Sequence, residues 1–100
     1  MVIVFANEEL RRVDRERNFD GDFDPDVADE IRHRLQILRA ATSDASLLSL
    51  RSLDPQVLGN GRYLLRITDR FWLNVQLQRA PEMTAVVLGA TSGTDVAHTA

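Results

Sequence analysis

A chain of 100 residues, 44% of them hydrophobic, is sized for one domain with a core of its own. It has no cysteine, which excludes disulfides, thiolate catalysis and cysteine-bound metal, and no apolar run approaches the ~20 residues that a membrane helix needs. The net charge of −3 weighs against nonspecific binding to nucleic acid, which depends on neutralising phosphates. The charge is unevenly spread, however. Residues 7–34 hold ten acids against six arginines, whereas residues 51–79 hold five arginines against two acids. All twelve basic residues are arginine. Codon bias in a GC-rich genome is the plain explanation for the missing lysine, but arginine's planar fork also suits phosphate and carboxylate, because it engages two oxygens at once.

In chain order, Val2-Ile3-Val4-Phe5 is an apolar run suited to a strand and too short for the core of a signal peptide, so a cytoplasmic location is expected. Asn7 is placed to cap a short, mostly exposed helix, with Glu8 and Glu9 in its first turn, where the helix dipole favours acids. Residues 18–26 read as a loop. Asp20, Asp22, Asp24 and Asp26 alternate there, but a calcium loop of the EF-hand kind needs Gly at its sixth position and Glu at its twelfth. Pro25 and Ile31 stand at those places, so no metal site is expected. Asp24-Pro25-Asp26 starts the main helix, predicted over 25–41, with Val27, Ile31, Leu35 and Leu38 on one face. His33 falls on its polar side.

Thr42-Ser43-Asp44 stops that helix, a short helix over 45–50 follows, and 52–60 is expected to be a loop. Residues 61–77 then alternate as two strands joined at Thr68-Asp69. Tyr63, Leu65 and Ile67 share one face with Phe71, Leu73, Val75 and Leu77. Arg62, Leu64, Arg66 and Thr68 share the other with Trp72, Asn74 and Gln76. A third strand is expected over 83–88, and residues 90–100 read as a flexible tail. The expectation is therefore a single α+β domain spanning 1–100, with helices on one face of an antiparallel sheet. Any surface chemistry is expected on the arginine-bearing face.

This ordered set resembles the RelE/ParE superfamily of toxin–antitoxin toxins, and within it the HigB-like (plasmid maintenance killer) branch. The resemblance runs from Phe5 to Leu88. It rests on Asp24-Pro25, the helix through Leu38, Ala40-Ala41-Thr42-Ser43, Leu53-Asp54-Pro55, and Gly61-Arg62-Tyr63-Leu64-Leu65-Arg66-Ile67. It implies the toxin component of a type II toxin–antitoxin system, a metal-independent endoribonuclease that cleaves messenger RNA on the ribosome. The partner would be a helix-turn-helix antitoxin, and no cofactor or membrane would be involved. Arg66 matches the family's sheet arginine. The arginine expected after the aromatic of the next strand is Trp72 here, the loop histidine is Asp54, the loop lysine is gone, and the C-terminal Asp-Tyr-His is absent.

RNA cleavage without metal needs a base, an acid and positive charge on the phosphate. The candidates are Arg66, Asp54 and His98 for catalysis, with Arg62, Arg66, Arg70 and Trp72 for RNA binding. The alternative is a catalytically degenerate module on the same fold that pairs with an antitoxin-like protein, or with itself as a homodimer, and cuts nothing. For Arg66 the competing role is structural: a salt bridge, or a cation–π contact with Trp72 across the hairpin.

Overall fold

The computed structural model describes residues 1–79 and 82–92, without the side chains of Asp44 and Ser92. Strand β1 (Val2–Phe5) leads into helix α1 (Glu8–Arg15), then α2 (Pro25–Ala40) and α3 (Asp44–Leu48). A single 3-10 turn (Arg51–Leu53) precedes strands β2 (Gln56–Gly59), β3 (Arg62–Arg66), β4 (Phe71–Gln78) and β5 (Thr84–Ser92). The sheet order is β1-β5-β4-β3-β2. The fold class is α+β, as the sequence implied. Three of the four pairings are antiparallel and β1–β5 is parallel, so the sheet is mixed rather than wholly antiparallel as expected: β2 runs opposite to β1, and the three reversals of the meander turn β5 to the direction of β1.

The helices start where the caps put them. Asn7 Oδ1 accepts the Leu10 N–H at 3.0 Å. Ser43 and Ser46 cap each other reciprocally, each hydroxyl accepting the other's backbone N–H at 3.1 Å. Asp24 caps α2 only with its carbonyl, which accepts from Ala28 at 2.9 Å, and Pro25 at the first helical position supplies the preset φ. On the exposed side of α1, hydrogen bonds from Arg11 and Arg12 hold the Glu8 and Glu16 carboxyls below the usual carboxylate range.

The core lies between the helices and one sheet face. Leu10 and Val13 of α1, and Ala28, Ile31, Leu35 and Leu38 of α2, meet Leu65, Leu73, Val75, Leu77, Ala85 and Val87. Ala28 takes the fully buried place on the first turn, and Val27 packs at its edge. Arg32 ties this layer together. Its Nε donates to the Val13 carbonyl at 2.7 Å, one Nη donates to the Phe19 carbonyl at 2.7 Å, and the other pairs with Asp29 at 2.8 Å. The acidic loop is held by the same means: the Asp22 N–H donates to Glu9 Oε2 at 2.7 Å, and Asp20 reaches Arg32 at 3.4 Å. Among the described residues no acid or histidine cluster could hold a metal ion, and no helix is long and apolar enough to cross a membrane.

Two parts of the sheet were not expected. Residues 56–59, read as loop, form edge strand β2, and Asn60-Gly61 closes a two-residue hairpin with φ of 55° and 78°. Both positions need positive φ, which is why Asn and Gly stand there. Strand β5 runs on to Ser92, so residues 90–92 belong to the sheet rather than to a tail. A bulge makes this possible. Val75 pairs with Val87 and Asn74 with Gly89, so Leu88 is the extra residue, and Val87 and Ala90 both face the core despite lying three apart.

Candidate functional site

The register of β3 and β4 builds the second sheet face. Arg62 pairs with Gln76, Leu64 with Asn74 and Arg66 with Trp72, so all six side chains leave the sheet on the side opposite the helical layer. Leu64 and Trp72 are nearly buried yet lie outside the main core cluster. Trp72 is 7% exposed, flanked by Arg66 and Thr91 on the neighbouring strands, and the Arg66 guanidinium lies over its ring, 5.0 Å from the centroid. Arg62 is held by Asn74, donating to its Oδ1 at 3.3 Å, and Gln76 is held by the Asn60 carbonyl at 2.7 Å.

Arg66 meets an acid with each Nη. One Nη lies 3.1 Å from Asp54 Oδ2, and the other lies 3.8 Å from Asp69 Oδ1. The Arg66 carbonyl accepts from Arg34 Nε at 3.1 Å, which ties the end of β3 to helix α2. Asp54 is held as firmly. It follows the 3-10 turn anchored by buried Leu53, and adopts a left-handed conformation with φ 43° and ψ 58°. Its N–H closes the turn onto the Arg51 carbonyl at 3.0 Å, and its Oδ1 accepts from Gln56 Nε2 at 3.2 Å. A non-glycine residue in that region costs energy, and Asp is among the few that tolerate it.

Of the residues picked from the sequence, Asp54, Arg66 and Trp72 come together, and Arg62 stands on the same face at the other end of β3. Arg70 sits exposed in the β3–β4 turn, where its N–H donates to Thr68 Oγ1 at 3.3 Å. His98 lies outside the described residues. His33 is exposed on α2. Three parts of the site were missed: Gln56, which orients Asp54; Asp69, the second acid beside Arg66; and Arg34, which reaches the β3 backbone. The Asn60-Gly61 dipeptide was the available signal for a β2–β3 hairpin, which would have brought Asp54 and Gln56 alongside the end of β3.

The described side-chain polar atoms that are shielded from solvent and lack a hydrogen-bond partner are Arg62 Nε, Arg66 Nε and Thr91 Oγ1. All three stand on this one face, since Thr91 pairs with Trp72. Buried polar atoms are normally satisfied, so three on one face set it apart from the rest of the described surface.

The contacts of Arg66 are those of its structural role. Replacing it with alanine is expected to lower the unfolding free energy by about 1–2 kcal/mol, beyond the roughly ±0.5 kcal/mol of an ordinary surface site. In a double-mutant cycle with Trp72→Leu, followed by urea unfolding, about 0.5–1 kcal/mol is expected to be shared between the two residues. Strict additivity would mean that the guanidinium gains nothing from the ring.

The chain matches no protein-family model and no curated protein.

Proposed function

We propose that this chain is a HigB-like domain of the RelE/ParE type that works in the cytoplasm as a binding module, pairing with an antitoxin-like protein without cutting RNA. The observation that carries this reading is the Asp54–Arg66 pair. The arginine that matches the family's sheet arginine already holds a carboxylate at 3.1 Å and covers the one tryptophan of the face. A phosphate would have to displace the acid, and a base would have to displace the guanidinium before it could stack on Trp72. The face is instead suited to a folded partner: Arg62, Asn74 and Gln76 present a polar surface over the buried Leu64 and Trp72. Next to it on the sheet, Val2 and Val4 of β1 stand exposed on the strand paired with β5.

Co-expression with the product of an adjacent small gene tests this. A stable complex that changes the emission of Trp72, the only tryptophan in the chain, is expected. A monomer that recovers no partner would remove the reading; self-association into a homodimer through the same face would replace the partner with a second copy.

The second reading is the active toxin, a ribosome-dependent messenger RNA endoribonuclease. What favours it is that Arg62 and Arg66 stand on one strand face with Arg70 at the adjoining turn, a charge pattern suited to a phosphate backbone.

A further inference from the structure

We propose that Asp54 is a built-in competitor for phosphate: its carboxylate pairs with one Nη of Arg66 and keeps the Arg62–Arg66 face closed to phosphate-bearing ligands. The inference rests on the reading that this sheet face is the working surface, and it assigns a gate to that surface.

Four observations support it. First, the carboxylate meets one arm of the guanidinium, with Oδ2 at 3.1 Å from Arg66 Nη2, while Nε on the same group has no partner. Guanidinium recognises carboxylate and phosphate with the same planar fork, so the two are direct rivals. Second, Asp54 is not a loose surface acid. Gln56 fixes its Oδ1 at 3.2 Å, the 3-10 turn fixes its backbone, and Leu53 anchors that turn in the core. Third, the residue sits at φ 43°. The chain accepts an unfavourable backbone conformation there, and the carboxylate it carries ends on Arg66. Fourth, the pair is only partly shielded, with both side chains 43% exposed, so an incoming anion can reach it. Asp69 serves as an internal comparison. It is fully exposed and 3.8 Å from the other Nη, and its hold on Arg66 is screened by water.

Asp54→Asn separates the charge from the shape. Asparagine keeps the size, tolerates the left-handed conformation and can still accept from Gln56. Asp54→Gly, which suits φ 43° with no side chain at all, serves as the second variant. Trp72 emission reports binding, because its ring lies under the guanidinium in question. The parent, Asp54→Asn, Asp54→Gly, Asp69→Asn and the double variant Asp54→Asn/Arg66→Ala are each titrated at low ionic strength with a short oligouridylate and, separately, with inorganic phosphate.

Asp54→Asn and Asp54→Gly are expected to bind about five- to tenfold more tightly than the parent, the size of effect left to a half-exposed charge. Asp69→Asn should change affinity less than about twofold, as for an exposed pair. The gain should disappear in the Arg66→Ala double variant and shrink as salt is added. A gain with inorganic phosphate points to the phosphoryl group alone as the ligand; a gain with the oligonucleotide only points to the RNA backbone. Either supports the proposal. Equal affinity of parent and both Asp54 variants, or a gain that survives loss of Arg66, overturns it. The partner reading is tested separately, by complex formation, so either idea can fail while the other stands.

Discussion

Leu35→Ala is expected to lower the unfolding free energy by about 2–5 kcal/mol, the range for removing a fully buried leucine and leaving a cavity. Leu35 lies at the centre of the amphipathic face of α2, completely shielded between that helix and the inner faces of β3–β5. The layer above it is a helix and the layer below it a paired sheet, so neither collapses easily into the space. For a chain of this size the melting midpoint should fall by more than ~10 °C, with the urea m-value unchanged. Leu48→Ala is the control. Leu48 is 47% exposed on α3 and should shift stability by no more than about 0.5 kcal/mol. Similar losses at the two positions would contradict the placement of the core.

Arg32→Ala is the second large effect expected, and its cause is polar. Arg32 is 16% exposed and donates to the carbonyls of Val13 and Phe19 while pairing with Asp29 and Asp20. Those carbonyls belong to the last turns of α1 and the loop after it, where a helix end leaves acceptors without partners. Truncation removes several hydrogen bonds to a charged donor at once and leaves half-buried carbonyls behind. A loss of about 2–4 kcal/mol follows. Arg32→Lys should recover less than half of it, because an ammonium cannot span two carbonyls and two acids as a planar fork does. Thermal unfolding of the three proteins measures this. A lysine variant as stable as the parent would mean that charge alone, rather than the fork, holds the loop.

The same physical signals explain what could be read from the chain beforehand and what could not. The apolar spacing of α2, the Asn7 cap and the Pro25 start gave helices whose observed ends differ by a residue or two, since periodicity and capping are local. The two faces of the β3–β4 hairpin were legible for the same reason: alternation puts Arg62, Arg66 and Trp72 on one side whatever else the chain does. The β5 extension was hidden because the bulge at Leu88 breaks the period of two. Strand β2 was hidden because all four of its residues are exposed at a sheet edge and carry no burial pattern. The partners of Arg66 were the hardest to foresee. Trp72 was named as one from strand register, but Asp54 reaches Arg66 only through the 3-10 turn and the left-handed residue that follows it. No pattern of hydrophobicity encodes that approach.

The proposed function is that of a binding module whose arginine face Asp54 keeps closed. Induction of the unaltered chain alone in a bacterial host, with growth followed and the 5′ ends of transcripts mapped, tests this most directly. Normal growth and intact transcripts at good soluble expression are predicted. Growth arrest accompanied by cuts in register with the reading frame, and abolished by Arg66→Ala in a variant that remains folded, would contradict the account and establish the active toxin in its place.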